Sequence, residues 1–197
     1  MRSRFPATDD HTLSRCAWCG DDALYVRYHD EEWGMPAMAD RRLFEKMCLE
    51  GFQAGLSWLT ILRKRENFRR AFLEFDHHAL ARSDGNFVER LLKDAGIVRH
   101  RGKIESVLNN ARRLQEAEDA RGGISAWWWS FASAPVHEFG GVRATSPEST
   151  ALSKELKRAG WSFVGPTTVY SMMQATGMVN DHVTDCFARA RCTVARG

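Results

Sequence analysis

Apolar residues recur along most of this chain at the three- and four-residue spacing of helices, and strict alternation of the strand type is nearly absent. Asp40 reads as the cap of a helix whose buried stripe is Leu43, Phe44, Met47 and Cys48. Gly51 and Gly55 interrupt that pattern, and a second helical run resumes from Leu56 to Phe72, with Leu59, Leu62, Phe68 and Phe72 facing inward. Asp76 or His77 opens a short helix near Leu80, and Asp84 opens another that carries Phe87, Leu91 and Leu92 and ends near Gly96. The longest pattern runs from about Arg101 to Ala120, with Ile104, Val107, Leu108, Ala111 and Leu114 buried and Gly122-Gly123 as its end. Trp127, Trp128, Trp129 and Phe131 form an aromatic block read as core, although three adjacent indoles cannot share one helix face. Pro135 to Pro147 reads as a loop or one hairpin, and two more helices follow, Thr150–Ala159 and Thr167–Thr176. About eight helices and almost no sheet define an all-α fold.

At 197 residues and 44% hydrophobic composition, the chain can bury a substantial core in one domain. That domain is expected over residues 15–187, with 1–14 as a polar N-terminal extension and 188–197 as a tail. No apolar run is long enough to span a bilayer, and the N-terminus lacks the apolar stretch of a signal peptide. A cytoplasmic protein without a membrane partner is expected. Five cysteines, an odd number, argue against a disulfide framework and leave metal binding open.

The net charge of +3 says little about nucleic acid by itself. Its distribution says more: Arg63, Lys64, Arg65, Arg69 and Arg70 form one basic cluster, Arg99, His100, Arg101 and Lys103 a second, and Lys154, Lys157 and Arg158 a third. Each could be a plain solvated helix face; together they offer a phosphate-binding surface.

Cys16 and His29 lie near the start of the chain, and His182 and Cys186, at helical i,i+4 spacing, lie near its end. Two thiolates and two imidazoles suit a closed tetrahedral zinc site, though Cys19 of the Cys16-Ala-Trp-Cys19 run is a rival ligand, and two separate pairs of core residues are the plainer alternative. Between the last two helices, Gly160-Trp-Ser-Phe-Val-Gly165-Pro166 forms a tight turn whose outward backbone N–H groups could clamp a phosphate. Gly165 is expected to supply backbone angles closed to other residues. Glu50 shares a helix face with Leu43, Met47 and Ala54, where a carboxylate either pairs with one of the many arginines or forms the floor of a pocket. Trp18, Tyr25, Tyr28, Trp33 and Trp58 supply aromatic faces for a flipped base.

Four motifs in order carry a family resemblance: Tyr25-Val-Arg-Tyr28-His29-Asp-Glu-Glu-Trp33-Gly34; Leu49-Glu50-Gly-Phe-Gln53-Ala-Gly-Leu-Ser-Trp58; Ala95-Gly-Ile-Val-Arg-His100-Arg-Gly-Lys103-Ile; and Phe163-Val-Gly-Pro-Thr-Thr-Val-Tyr-Ser-Met-Met-Gln174 with Asn180-Asp-His182. From about Arg15 to about Phe187 the chain resembles the DNA-3-methyladenine glycosylase I family. The resemblance implies a helix-hairpin-helix glycosylase fold whose ends are joined by one structural zinc on Cys16, His29, His182 and Cys186. It implies hydrolytic release of 3-methyladenine, and less efficiently 3-methylguanine, from double-stranded alkylated DNA by a bacterial monomer. Glu50, Tyr28 and Trp58 would then be catalytic, with Trp18 and Tyr25 completing the base pocket, and Phe163, Val164, Gly165, Thr167 and Thr168 would meet DNA. Cys19 and Cys192 have no part in that pattern. In the wider superfamily's register Asn180 replaces a catalytic aspartate, which gives Asp181 no base role by resemblance. No lysine falls within the pocket motifs, which fits hydrolysis without a Schiff base. The other readings are a non-catalytic binder of alkylated or mismatched DNA, and a zinc-stabilised interaction module that leaves Glu50 without a purpose.

Overall fold

The computed structural model describes residues 13–132 and 143–196. The fold is all-α, with no strand among the described residues. Ten helices follow in order: α1 (Ala23–Glu31), α2 (Asp40–Gln53), α3 (Trp58–Ala71), α4 (His77–Ala81), α5 (Gly85–Leu91), α6 (Arg101–Arg121), α7 (Ser125–Trp129), α8 (Pro147–Arg158), α9 (Pro166–Ala175) and α10 (Phe187–Arg196). Single 3-10 turns lie at Ala17–Cys19 and Leu73–Phe75. The first part of the loop expected over Pro135–Pro147 and most of the expected N-terminal extension lie outside the described residues; Pro147 itself begins α8.

Helix α2 is the centre of the molecule, packed against α3, α6 and α9. Its buried side is Leu43, Phe44, Met47, Leu49 and Phe52, with exposures of 0–1%. Phe52, Phe68, Phe72 and Phe75 stack in a chain of rings that ties α2 to α3 and the turn after it. Side-chain caps start most helices where the sequence offers them: Asp22 accepts from two amides of α1, Ser57 opens α3, and Asp76, Asp84 and His100 open α4, α5 and α6. Asp40 differs from the expectation. Ala39 holds the capping position of α2, and the Asp40 carboxylate instead accepts from the amides of Ile124 and Ser125 at 3.0 and 2.8 Å, so it caps the distant helix α7. In the tryptophan block, Trp128 is fully buried while Trp127 and Trp129 are half-buried, as the rotation between successive helical residues requires.

Three helices escaped the pattern analysis, the short α7 within the tryptophan block among them. Helix α1 has a weak apolar stripe because its sequence carries site residues. Helix α10 occupies the stretch expected as a tail, and Cys192 and Ala188 on it are fully buried. The N- and C-terminal parts of the described chain meet beside Gly34 (φ +82°), where an added Cβ would lie 2.9 Å from His182 Nε2. Only glycine combines that backbone conformation with so close an approach. No helix among the described residues is long and apolar enough to cross a membrane.

Candidate active site and metal centre

The Ala17–Cys19 turn, α1 and the segment before α10 bring Cys16, His29, His182 and Cys186 together. All four are buried, and one ligand atom from each lies within 4.8 Å of the others. Cys16 Sγ is 3.5 Å from His182 Nδ1, and Cys186 Sγ is 3.5 Å from His29 Nε2 and 3.3 Å from His182 Nδ1. Tetrahedral bonds of about 2.3 Å to sulfur and about 2.0–2.1 Å to nitrogen place such donor atoms about 3.5 Å apart, so the set has the dimensions of zinc.

The surroundings fit the same ion. His29 Nδ1 is 2.8 Å from Asp30 Oδ1, Asp30 is itself clasped by Arg15, and His182 Nε2 is 3.1 Å from the Trp33 carbonyl. These contacts fix each ring so that its other nitrogen faces the centre. Burial holds the His182 imidazole neutral, with its pKa down to about 4, and pushes the Cys16 thiol up to about 12. Two sulfurs crowded against two imidazole nitrogens gain little from one another, whereas a divalent cation would bind all four donors. The four residues form a structural zinc site, closed to substrate because all four positions are used. Cys19 stays outside it, its thiol directed at the Cys16 carbonyl 3.1 Å away.

Trp18 joins this centre to a cavity of about 480 Å³ lined by Trp18, Tyr25, Tyr28, Trp33, Glu50 and Trp58. Trp18 lies 5.3 Å from the His29 ring and 5.0 Å from that of Tyr25, and Tyr28 and Trp58 are 5.5 Å apart. Glu50 arrives from α2 and is 5% exposed. Its Oε1 lies 3.5 Å from Lys46 Nζ, while its Oε2 is buried without a hydrogen-bond partner. An arginine partner, the plain alternative raised by the sequence, is therefore not what Glu50 has. Burial raises the Glu50 pKa and the Lys46 charge opposes that rise. Burial also raises Tyr28 and Tyr25, and the negative Glu50 adds to both.

The α8–α9 turn adjoins this region. Asn110 on α6 brackets it, accepting from the Ser162 amide at 2.9 Å and donating to the Ser162 carbonyl at 3.0 Å. Gly165 has φ −61°, open to any residue, and the left-handed conformation falls instead on Phe163, φ +56° and exposed. Val164 is buried and its carbonyl accepts from Ser153, so its side chain belongs to the core. Gly165 caps α9 without a side chain and Pro166 is the first helical residue, which leaves the amides of Thr167 and Thr168 at an exposed helix start. Lys154, Lys157 and Arg158 line a shallow depression beside Pro166.

A family model described as methyladenine glycosylase matches residues 18–189. The chain belongs to the methyladenine glycosylase family. It is 48% identical to DNA-3-methyladenine glycosylase 1 of Escherichia coli over 182 residues, covering 88% of this chain and 96% of that one. It is 41% identical to the DNA-3-methyladenine glycosylase of Haemophilus influenzae over 178 residues, with the same coverage of both. A solved tyrosine-to-phenylalanine variant of 3-methyladenine DNA glycosylase I, in complex with 3-methyladenine, superposes with a TM-score of 0.84 at 34% identity, covering 89% of this chain and 97% of that one.

Within this methyladenine glycosylase fold several members of the other two basic clusters have partners inside the protein. Arg63, Arg65 and Arg69 pair with Asp22, Glu32 and Glu45, and Lys64 donates to the Ala95 and Gly96 carbonyls. Lys103 is buried and donates to the carbonyls of Phe52 and Ala54 at the end of α2. Asn180 donates to the Arg189 carbonyl and Thr193 on α10 and stands behind the pocket, whereas the neighbouring Asp181 lines it and accepts from Tyr170 and Gln174. The pocket-lining residues that sequence reasoning did not assign to the site are Ala17, Gln53, Ser171, Gln174, Asp181 and Val183, and it also missed Lys46, which stands outside the pocket and touches Glu50. The i,i+4 spacing of Lys46 and Glu50 was the available signal for the last of these.

Proposed function

We propose that this protein is a monofunctional DNA glycosylase that hydrolyses the N-glycosidic bond of 3-methyladenine, and more weakly 3-methylguanine, in double-stranded alkylated DNA. The observation that carries the reading is the Glu50 carboxylate, buried at the cavity wall with Oε2 unpartnered among aromatic rings. A buried acceptor without a donor costs stability in the free protein. A flipped purine repairs that cost by offering an exocyclic amino group or a positive ring.

Methylation at N3 makes the adenine in DNA cationic and weakens its glycosidic bond before any protein acts. The chain's task is then to draw the base out of the helix, hold it between Trp18, Tyr25, Tyr28 and Trp58, and stabilise its charge with Glu50. The C1′–N9 electron pair leaves with the base as neutral 3-methyladenine, and water adds to C1′ and releases one proton to solvent, leaving an abasic site. The zinc supplies no chemistry in this scheme; Cys16, His29, His182 and Cys186 use it to hold Trp18 at the pocket. The amides of Gly165, Thr167 and Thr168 and the exposed Phe163 are the proposed DNA contacts, with Val164 contributing backbone alone. One chain supplies every pocket wall, so a monomer suffices. Bacterial relatives and a chromosomal substrate fit a cytoplasmic enzyme.

The test is incubation of the zinc-loaded chain with methylated DNA and chromatography of the released bases. Release of free 3-methyladenine, leaving abasic sites and uncut strands, is the expected result. Binding without release would favour a non-catalytic reader of alkylated DNA and overturn the proposal.

A further inference from the structure

Lys46 is held as few lysines are. Its side chain is 13% exposed, and its Nζ donates to Tyr28 Oη at 2.5 Å and lies 3.5 Å from Glu50 Oε1. The same nitrogen stands over the Trp58 ring, 3.7 Å from its centre, and 4.6 Å from the centre of the Tyr28 ring. Three of the residues assigned to the base thus converge on one ammonium group. That ammonium does not line the base pocket. It lines a separate cavity of about 330 Å³, shared with Glu32, Arg42, Glu45 and Arg65, and reaches Glu50 from the far side of Tyr28. A side chain so placed is not aimed at a flipped sugar, so it is not read as a Schiff-base nucleophile.

Resting on the glycosylase reading, we propose that Lys46 is a positioning residue of the base pocket: its ammonium engages one oxygen of Glu50 and so keeps the carboxylate ionised with the other oxygen free for the base. Burial in this apolar wall disfavours the charged form of the Glu50 carboxylate and raises its pKa, and the Lys46 charge opposes that rise. A protonated Glu50 would present a hydroxyl to a cationic base, and recognition would weaken. The opposing cation is close, desolvated and further supported by two aromatic faces. Burial draws Lys46 down to about 8, which still leaves it charged in neutral solution.

Across the pocket from Glu50, Asp181 accepts from Tyr170 and Gln174, and beside Lys46 the Glu45 carboxylate is paired with Arg42 and Arg69. Tyr25 and Tyr28 of α1 remain neutral, since burial raises both. Arg65 of α3 disfavours the Lys46 charge and Glu32, just after α1, favours it. Those two are bonded to each other at 2.6 and 2.9 Å, so they largely offset at Lys46. Glu50 is left as the carboxylate that Lys46 governs and Lys46 as the cation that governs Glu50.

The sign of the pH effect follows. Removing the ammonium lets the Glu50 pKa rise, so the active, ionised form is lost at a higher pH as acidity increases. Lys46→Met keeps the apolar stem and removes the charge; Lys46→Arg restores charge, and Lys46→Gln is the polar neutral control should the methionine variant fold poorly. Single-turnover excision from methylated DNA is measured against pH for each zinc-loaded chain, together with the pH titration of the Glu50 carboxyl carbon by NMR without DNA. The acidic limb and the carboxyl titration should both move up by about one pH unit or more in the neutral variants. Excision by the neutral variants should recover in part above that limb, and Lys46→Arg should keep the wild-type limb. A purely structural role would lower the rate equally at every pH. An unmoved carboxyl titration in a folded neutral variant overturns the proposal whatever happens with DNA. Failure of the wild type to release 3-methyladenine would instead overturn the glycosylase reading, and the carboxyl titration would still report on Lys46.

Discussion

Glu50→Gln separates recognition from catalysis at the level of a single atom. The amide keeps the shape and one acceptor but removes the charge and places a donor beside Lys46, Tyr28 and the base. A hydrogen bond to a charged group contributes about 1.5–3 kcal/mol. Affinity for free 3-methyladenine should therefore fall by about tenfold to about two hundredfold. Excision should be slowed without being abolished, because the methylated base is itself a good leaving group. Isothermal titration and single-turnover kinetics on the two folded chains are the measurements. Unchanged affinity with complete loss of excision would make Glu50 a general base instead. The sequence disclosed Glu50 because a carboxylate on an apolar helix face is conspicuous in one dimension. It did not disclose Lys46, four residues earlier, because a lysine at a helix surface is ordinary until its neighbours from α1 and α3 are in place. Gly34→Ala, by the same short-range logic, should lower the melting temperature by several degrees and loosen the metal, since φ +82° and the approach to His182 both exclude a Cβ. Thermal melting and zinc retention against a chelator check this.

Helix boundaries and the turn between α8 and α9 show what an element inherits from local sequence and what it owes to the rest. The long helix expected over Arg101–Ala120 is found at Arg101–Arg121, closed by Gly122 at φ +76°, because periodicity and a glycine stop are local signals. Asp40 looked like a cap for its own helix and caps α7 instead, a pairing across more than eighty residues that no local rule contains. Gly165 was credited with unusual backbone angles that belong to Phe163, since Asn110 on α6 sets the turn from outside. That correction sharpens the DNA prediction. An alanine at Gly165 would meet nothing within 4 Å and adopt an ordinary φ, so Gly165→Ala should leave the melting temperature unchanged. It should still weaken DNA binding if phosphate approaches the backbone there. Binding of the wild type should weaken as salt rises, each phosphate contact contributing a slope of about −0.9 in the logarithmic plot. Equal affinity of the two proteins, measured by fluorescence anisotropy across a salt series, would move the DNA elsewhere.

Across the whole molecule the zinc site joins the N- and C-terminal regions into one wall of the cavity proposed to take the base. Cys16 and Trp18 share a single turn, and the Trp18 ring contacts both His29 of the metal centre and Tyr25 of the cavity. The fourfold set could not be chosen from spacing alone, because its halves lie more than 150 residues apart and Cys19 was an equal candidate; only folding brings His182 and Cys186 to Cys16. Two substitutions distinguish a metal-bearing cysteine from a merely buried one. Cys19 and Cys186 are both nearly inaccessible, at 2% and 4%, so loss of packing alone predicts similar effects for alanine at either position. Closure of a site whose binding energy is folding energy predicts a large difference. Elemental analysis should find one equivalent of zinc in the wild type and none in Cys186→Ala, which should melt far lower, while Cys19→Ala keeps the metal and loses only the stability of a small cavity. The fraction of Cys186→Ala that remains folded should still excise the base, though with weaker binding, because the metal holds Trp18 without touching the substrate. Equal melting temperatures and full zinc content in both variants would break the link between the N- and C-terminal regions on which this account of the pocket depends.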